Sequence, residues 1–301
     1  MRGNPGGSLL YVNRDNGAVT AQVLDGKALA ELIFNDIEIR VAARVAAGKP
    51  RPVLATILVG DNPASATYVR TKHKNAKQVG IDTRDHRLAA TASHEEVEEL
   101  VRALNNDHDV SGVLVQQPAP PQIDMTRVIA AIDPVKDVDG AHPVNAGLLS
   151  LGLPGAMEPC TPAGIVALLK HAGVAIAGAN AVVVGRSNLV GKPVALLLLK
   201  QNATVTVCHT STRDLAAHTR AADILVAAAG KLGLITKDMI KPGSAVVDVG
   251  ANWIAGKQVG DLGEGVEEVA GWLTPNPGGV GPMTRAMLIR NTLEAEARRR
   301  P

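Results

Sequence analysis

Short apolar runs alternate with helical segments along most of this 301-residue chain, and this alternation limits the fold more than any other feature. The runs 52–60, 111–116 and 181–185 end in glycine or a polar residue, as buried strands do. The segment 62–80 between two such runs begins with Asn-Pro and ends with glycine, which are helix start and stop signals. Strands that alternate with helices build parallel sheets. The sequence therefore predicts an α/β fold.

The length of the chain and its element pattern predict two domains. Residues 21–159 form the first α/β series, and 160–282 form a second series of the Rossmann type. The amphipathic helix predicted over 283–301 is expected to return to the first domain. Residues 1–20 are polar and glycine-rich, so we predict a disordered leader outside the fold.

The charge balance and the cysteine content exclude several classes of protein. With 31 basic and 29 acidic side chains, the chain has no basic face for nucleic acid or for a membrane surface. Its two cysteines, Cys160 and Cys208, share no metal-ligand spacing and form no disulfide framework. No apolar stretch is long enough to span a bilayer. We therefore expect a cytoplasmic protein without a metal site.

Tyr68 and Lys72 are the first candidates for chemistry. They lie four residues apart on a predicted helix and so project from one face. The helix follows a strand directly, at the sheet edge where α/β proteins place their active sites. A partly desolvated lysine there can have a lowered pKa and transfer protons. The alternative is a solvated lysine beside a half-buried tyrosine.

Polar residues after two further segments extend this group. Gln116 ends the run GVLVQ, and its amide offers a donor and an acceptor, although a polar strand end would look the same. In KDVDG, Asp137 and Asp139 suggest ligand binding, although aspartate and glycine are also typical of turns. Asp139 precedes Gly140 and is expected to face a ligand. Asp137 is expected to pair locally, in solvent, with Lys136.

The segment GRSNLVGKP, Gly185 to Pro193, lies between a predicted strand and a helix, where backbone N–H groups can bind phosphate. Its glycine spacing differs from the dinucleotide fingerprint and from the P-loop. The next strand ends at Cys208 without a following carboxylate, whereas enzymes that use NAD carry an acid there. With Arg186 and Arg213 nearby, the sequence favours NADP.

The segment TPNPGGVGPMT, Thr274 to Thr284, is dense in proline and glycine. Such a loop is rigid and exposes its backbone amides. It can serve as a ligand clamp or as a plain interdomain linker.

Six strings resemble, in order and at similar separations, the motifs of the bifunctional methylenetetrahydrofolate dehydrogenase/cyclohydrolase family. They are YVRTK, GVLVQQP, KDVDGAHPVNAGLL, PCTPAGIVALL, VVVGRSNLVGKP and TPNPGGVGPMT. The resemblance runs from about residue 21 to residue 297, and the last two strings are the most specific.

This resemblance implies two reactions in one cleft, an NADP cofactor, tetrahydrofolate derivatives as substrates and a homodimer. The methylene substrate gives a hydride to NADP, and water then opens the methenyl product to 10-formyltetrahydrofolate. Lys72 would be the key catalytic residue, chiefly in hydrolysis, with Gln116 holding it and Tyr68 stacking on the substrate. Asp139 would bind the pterin. We expect the apolar strands within 223–230 and 245–250 to be exposed and to meet the partner.

The resemblance also implies two sets of ligand contacts. The substrate set is Tyr68, Lys72, Val115, Gln116, Gln117, Asp139, Pro277, Gly278, Gly279, Val280 and Gly281. The cofactor set is Gly185, Arg186, Ser187, Thr210 and Ala251.

Three positions depart from the usual motifs: Gln117, Ala251 and Asn276 stand where leucine, isoleucine and valine are common. Gln117 could compete for a hydrogen bond near Lys72, and Ala251 removes apolar contact from a cofactor wall. Three other functions fit the same fold. They are a shikimate-dehydrogenase-like oxidoreductase, a non-catalytic folate- or NADP-binding regulator, and a dehydrogenase without cyclohydrolase activity.

Overall fold

The computed structural model describes residues 10–12, 19–254 and 257–300, and the chain folds into two compact units. The three-stranded unit comprises Ala30–Cys160 and the chain from Thr284 onward. The seven-stranded unit comprises the chain up to Leu29 together with Thr161–Met283. Each unit takes its name from its main β-sheet.

The elements alternate along the chain as predicted. The strands are β1 (Leu10–Val12), β2 (Val19–Val23), β3 (Val53–Val59), β4 (Asp82–Leu88), β5 (Gly112–Val115), β6 (Asn180–Val184), β7 (Thr204–Cys208), β8 (Ile224–Ala227), β9 (Ala245–Asp248), β10 (Asn252–Ile254), β11 (Lys257–Val259) and β12 (Trp272–Leu273). The α-helices are α1 (Gly26–Ala46), α2 (Pro63–Gln78), α3 (His94–Asn106), α4 (Met125–Ala131), α5 (Pro143–Ser150), α6 (Cys160–His171), α7 (Gly191–Lys200), α8 (Leu215–Arg220) and α9 (Val280–Arg299). None of these described helices has both the length and the apolar composition needed to cross a membrane.

The three-stranded unit is built around a parallel sheet of order β4-β3-β5. Strand β3 lies in the middle and is buried from its second residue onward, which explains its almost wholly apolar sequence. Helix α3 begins with the predicted capping box, in which Ser93 Oγ accepts the N–H of Glu96 and the Glu96 carboxylate accepts the N–H of Ser93. The parallel pairing of β3 with β5 places their carboxyl ends side by side.

The seven-stranded unit contains a sheet of order β1-β2-β12-β9-β8-β6-β7. Its pairings are parallel except for that of β1 with β2. The strands β6, β8 and β9 are buried along nearly their whole length, so their apolar residues form the core of this unit. The predicted α/β fold with a Rossmann-type unit is confirmed.

The expectation that two apolar strands of this sheet are exposed is wrong. Strands β8 and β9 lie inside the sheet, paired on both sides, and all four residues of each are buried. A run of apolar residues is typical of an interior strand because helices cover both faces of a parallel sheet. The edge strands of the described sheet are β1 and β7, and the residues of β7 are mostly exposed or half-buried.

The segment set apart as a leader contains two strands of this sheet. Strand β2 pairs with β12 and continues through Gln22 and Val23, which brings residues 21–29 to the seven-stranded unit and not to the first α/β series. Strand β1 pairs with β2 in turn. The rest of the leader, residues 1–9 and 13–18, lies outside the described residues.

The second half of α9 packs within the three-stranded unit, as the sequence predicts for the C-terminal helix. Glu296 is fully buried and accepts hydrogen bonds from Arg44 at 2.9 Å and from Ser111 Oγ at 2.8 Å. Asn291 Nδ2 donates to the carbonyl oxygens of Val138 at 3.0 Å and Glu158 at 2.9 Å. These contacts tie the helix to α1, to the segment before β5 and to the KDVDG segment.

Candidate functional site

Helix α2 carries Tyr68 and Lys72 on one face, shortly after the carboxyl end of β3. Asn62 caps the helix by accepting a hydrogen bond from the N–H of Ser65 at 3.0 Å, and Pro63 lies in the first turn. Tyr68 therefore lies one turn before Lys72. Its side chain is 37% exposed, so the ring is available to a flat ligand.

A hydrogen bond joins Lys72 to Gln116, which follows β5. Lys72 Nζ donates to Gln116 Oε1 at 2.9 Å. The position of Gln116 is fixed because its backbone N–H donates to Ile57 O at 2.9 Å and its Nε2 donates to the carbonyl of Gln117. The amine of Lys72 thus has a neutral acceptor, which favours the ammonium form less than a carboxylate would. Gln117 enters this network through its backbone carbonyl.

The surroundings shift the proton equilibria of Lys72 and Asp139 in opposite directions. Burial lowers the pKa of Lys72; Asp139 and Cys160 act against this shift, and Arg285 reinforces it. Burial raises the pKa of the Asp139 carboxyl, against the effect of the Lys72 charge. Such paired shifts in one region of a fold are typical of functional sites.

Asp137 is not a solvent-exposed partner of Lys136, and that expectation is wrong. Asp137 is 1% exposed and accepts hydrogen bonds from the N–H of Gly140 at 3.1 Å and of His142 at 2.7 Å, and from Asn145 Nδ2 at 2.9 Å. Asp137 thus holds the turn that carries Asp139.

Lys136 is also buried and does not face solvent. Its ammonium donates to the carbonyl oxygens of Leu104, Asn105 and Asp107 at 2.7–2.8 Å, near the end of α3. A cation at a helix C-terminus satisfies carbonyls that have no partner within the helix. Lys136 and Asp137 therefore stabilise two different parts of the unit.

Gly140 is the one turn residue here that a side chain could not replace. Its φ is +73°, and a Cβ at this position would lie 2.6 Å from the backbone of Glu158 and Pro159. The turn after Asp139 is therefore held by Asp137 on one side and by close backbone packing on the other.

Sequence reasoning missed Arg285, which lies at the start of α9. Arg285 Nε donates to Asn75 Oδ1 at 3.3 Å, and Asn75 lies on the same face of α2 as Tyr68 and Lys72. Burial lowers the pKa of Arg285, while Tyr68 acts against this shift. Its place directly after the TPNPGGVGPMT string was the available signal.

Val115 is 5% exposed and belongs to a hydrophobic core cluster of the three-stranded unit. The same cluster includes Val97 and Val128, so the side chain of Val115 is part of the core. The predicted substrate contact at this position would therefore use its backbone.

In the seven-stranded unit, Gly185 follows β6 and has a φ of +129°. A Cβ at this position would lie 2.2 Å from Ala228 O, and a Cβ on Gly191 would lie 2.2 Å from Gly185 O. Ser187 Oγ accepts the N–H groups of Val190 at 3.2 Å and Gly191 at 3.3 Å. Only glycines permit this close backbone approach, which fits a loop that receives a dinucleotide.

The other predicted cofactor residues lie, like Gly185, at the carboxyl ends of the parallel strands. Arg186, Thr210 and Ala251 are exposed and follow the carboxyl ends of β6, β7 and β9. Parallel sheets bind dinucleotides at the carboxyl ends of their strands.

The loop from Pro277 to Gly281 precedes or begins α9, with Pro277 and Gly281 exposed and Val280 buried. Asn276, one of the departures from the usual motif, anchors the loop. Its Nδ2 donates to Gly250 O at 2.7 Å, and its Oδ1 accepts from Gln258 Nε2 at 3.2 Å. A valine could form neither bond, so the departure has a structural role.

Two buried acids near this edge, Asp248 and Asp261, were also missed by sequence reasoning. Asp248 Oδ1 accepts the N–H groups of Gly250 at 3.0 Å and Asp261 at 2.9 Å. Burial raises the pKa of Asp248. The strings VVDVG and QVGD, each with an acid within two residues of a glycine, carried the signal.

Two family models match the chain. The model for the catalytic domain of tetrahydrofolate dehydrogenase/cyclohydrolase matches residues 24–139. The model for the NAD(P)-binding domain of the same proteins matches residues 159–300.

Relatives match over nearly the whole length. The bifunctional protein FolD of Burkholderia multivorans is 52% identical over 282 residues, which cover 93% of this chain and 98% of the relative. The crystal structure of the bifunctional enzyme FolD, a methylenetetrahydrofolate dehydrogenase/cyclohydrolase from Campylobacter jejuni, is 44% identical with a TM-score of 0.90, covering 92% and 99% of the two chains. The Trypanosoma brucei dehydrogenase-cyclohydrolase, complexed with NADP and an inhibitor, is 39% identical with a TM-score of 0.88, covering 93% and 99%.

The shikimate-dehydrogenase-like alternative finds support in the fold alone. Shikimate 5-dehydrogenase from Thermus thermophilus is 16% identical with a TM-score of 0.52, covering 82% of this chain and 99% of that one.

Proposed function

The chain belongs to the tetrahydrofolate dehydrogenase/cyclohydrolase family, and we propose on this premise that its hydrolytic step depends on the amine of Lys72. The protein oxidises 5,10-methylenetetrahydrofolate to 5,10-methenyltetrahydrofolate with NADP and hydrolyses the product to 10-formyltetrahydrofolate, in one-carbon metabolism. NADP, when bound, accepts the hydride that leaves the methylene carbon.

Hydrolysis requires a group that moves protons. A water molecule adds to the methenyl carbon, the bond from that carbon to one ring nitrogen breaks, and the water loses both of its protons as the formyl carbonyl forms. One proton goes to the leaving nitrogen and the other is released to solvent. A neutral Lys72 accepts the first proton from the water, and the resulting ammonium returns it to the leaving nitrogen. Gln116 Oε1 orients the amine through the 2.9 Å hydrogen bond. This half-buried amine with a neutral partner is the observation that carries the proposal.

The remaining residues of the three-stranded unit bind and orient the substrate. Tyr68 stacks on the flat part of the folate, which its exposed ring permits. Asp139 accepts hydrogen bonds from the amino and ring N–H groups of the pterin. Gln117 and the backbone of Val115 flank Gln116, and the loop Pro277 to Gly281 keeps its predicted role as a substrate contact. Hydride transfer then needs only proximity and orientation from these groups.

The seven-stranded unit holds the cofactor through Gly185, Arg186, Ser187, Thr210 and Ala251. We propose a preference for NADP over NAD because β7 is followed by His209, Thr210 and Ser211, and not by an acid that binds a ribose hydroxyl. Arg186 is exposed and offers a guanidinium to the additional phosphate.

The test of the catalytic proposal is Lys72→Met with Lys74→Met as its matched control. Lys74 lies on the same helix and is exposed. In Lys72→Met we expect hydrolysis of the methenyl substrate to fall by about 10²- to 10⁴-fold. Oxidation of the methylene substrate should persist in part, since hydride transfer requires no base. Lys74→Met should leave both rates unchanged.

If Lys72→Met hydrolyses the methenyl substrate at the wild-type rate, the assignment of Lys72 to hydrolysis is wrong. Wild-type protein that oxidises the methylene substrate but never hydrolyses the methenyl product would support the alternative of a lost cyclohydrolase. Absence of both reactions in the wild-type chain would support the non-catalytic regulator.

We further propose a cytoplasmic homodimer and a division of labour in which the three-stranded unit binds folate and the seven-stranded unit binds NADP. Since β8 and β9 are interior strands, the edge strand β7 is the better candidate to meet a second copy. The outer edge of β7 has no neighbour in the described sheet, and Val207 is 38% exposed. Light scattering should give the mass of a dimer, and Val207→Lys should lower it. A monomer mass for the wild type at micromolar concentration contradicts the dimer.

A further inference from the structure

Asp261 follows β11 and is fully buried in the seven-stranded unit. Its Oδ2 accepts the backbone N–H groups of Ala229 at 2.7 Å and Gly230 at 2.9 Å. Its Oδ1 accepts from Asn252 Nδ2 at 3.0 Å. Both oxygens are thus engaged by neutral donors.

The loop that Asp261 holds, residues 228–230, packs against the predicted cofactor loop. Ala228 follows β8, and its N–H donates to Val184 O at 2.8 Å. Ala228 O comes so close to Gly185 that a Cβ there would be only 2.2 Å away. Any movement of this loop would therefore displace the backbone next to Gly185.

The charged groups around Asp261 indicate that it positions the backbone and does not serve in an ion pair. Within the described ranges of the chain, no basic side chain forms an ion pair with it. A second buried acid, Asp248, lies beside it and accepts the N–H of Asp261 at 2.9 Å. A buried carboxylate without a cation is costly unless hydrogen bonds satisfy it. The backbone donors of the loop supply those bonds.

We propose that Asp261 is a positioning residue for NADP: it fixes the loop 228–230 as a wall of the cofactor site beside Gly185. The proposal rests on the proposed function of this unit as the NADP-binding unit. Asp261 acts through the backbone of the loop.

The test uses the full-length chain with Asp261→Asn. The new amide has one acceptor oxygen where the carboxylate had two, so either the loop or Asn252 loses a partner. We expect the Kd for NADP, measured by calorimetric titration, to rise about 10- to 100-fold, the equivalent of one charge-assisted hydrogen bond. The amides of Ala229 and Gly230 should exchange faster with deuterium. The kcat and KM for hydrolysis of the methenyl substrate should be unchanged.

Asp223→Asn is the matched control. Asp223 precedes β8 at the opposite end of the same strand, and its carboxylate also accepts a backbone N–H, that of Asn180 at 2.8 Å. This variant should bind NADP as the wild type does. A second measurement needs no variant: NADP should slow the exchange of the Ala229 and Gly230 amides in the wild type and leave the Asn180 amide unchanged.

Wild-type affinity for NADP in Asp261→Asn overturns the proposal, and so does an equal loss in Asp223→Asn, which would reflect general loosening of the sheet. If Asp261→Asn does not fold, unchanged exchange at Ala229 and Gly230 on addition of NADP overturns it instead. Failure of the wild-type chain to bind NADP at all contradicts the proposed function of the unit.

Discussion

Replacing Asp137 by alanine should destabilise the protein strongly without removing Asp139, the group that we propose recognises the pterin. The substitution removes the side-chain acceptor of three buried donors, the N–H groups of Gly140 and His142 and the amide of Asn145. The N–H of Gly140 keeps a second acceptor, the backbone carbonyl of residue 137 at 3.3 Å, so two donors lose their partner. An unsatisfied buried donor costs about 1–3 kcal/mol, so two would cost roughly 2–6 kcal/mol. A water molecule in the vacated space can satisfy some of them, and we expect a loss of about 3–5 kcal/mol.

Urea unfolding followed by circular dichroism measures this decrease in the free energy of unfolding. Cyclohydrolase activity is measured at the same urea concentrations, and the transition at which it disappears is assigned to the three-stranded unit. Asp137→Asn keeps one acceptor oxygen and should recover part of the stability. Asp139→Ala is the functional counterpart, because this residue is half-buried and is proposed to contact the pterin. It should raise the folate KM severely and leave the affinity for NADP nearly intact.

The comparison decides between the two aspartates. If Asp137→Ala, assayed well below its unfolding midpoint, raises the folate KM as much as Asp139→Ala does, Asp137 takes part in recognition and our assignment is reversed. If Asp137→Ala unfolds at the same urea concentration as the wild type, the three hydrogen bonds contribute little to stability, and the magnitude given above is wrong.

Three further predictions concern pH, cofactor choice and the C-terminal helix. The rate of hydrolysis should rise with pH through the lowered pKa of Lys72, because the neutral amine is the proposed base. Arg285→Met removes a cation that lowers this pKa and should therefore move the rise in rate to higher pH. A rate of hydrolysis that falls with pH would mean that the charged amine is the active form. Arg186→Ala should narrow the difference in kcat/KM between NADP and NAD, and equal use of both by the wild type would contradict the cofactor assignment. Glu296→Gln leaves the buried guanidinium of Arg44 without a carboxylate and should lower the free energy of unfolding by about 3–5 kcal/mol. If unfolding in urea shows a loss under about 1 kcal/mol, the ion pair of Arg44 with Glu296 contributes little to stability.

The sequence predicted the elements whose signals are local. Asn62 and Pro63 mark the start of α2, and the Ser93 and Glu96 pair marks the start of α3, because a cap depends only on residues within one turn. The same locality placed Tyr68 and Lys72 on one face. The sequence could also predict an acceptor at Gln116, but the 2.9 Å bond depends on the pairing of β3 with β5 and is visible only in the fold.

The features that sequence reasoning got wrong or missed depend on distant partners. Asp137 looked like a solvent residue because its partners His142 and Asn145 lie in and before α5, a helix that the pattern did not reveal. Strands β8 and β9 looked exposed because an apolar run has the same composition at an edge and in the interior of a sheet. Strand order decides between the two, and strand order depends on pairings across the whole unit.

The opposite pKa shifts of Lys72 and Asp139 connect the roles proposed for these two residues in hydrolysis and in substrate recognition. Burial disfavours the charged forms of both side chains. It therefore favours the state in which Lys72 is neutral and Asp139 is protonated, relative to the state in which both are charged. Each charge also acts against the shift of the other group, so the two proton equilibria influence each other. A protonated Asp139 donates one of the hydrogen bonds that a carboxylate would accept, which weakens its contact with the N–H groups of the pterin. Substrate that presents these donors favours the carboxylate, and the carboxylate in turn raises the pKa of Lys72. Binding of the pterin thus opposes the effect of burial on the pKa of Lys72, and the folate KM and the rate of hydrolysis should change over the same pH range.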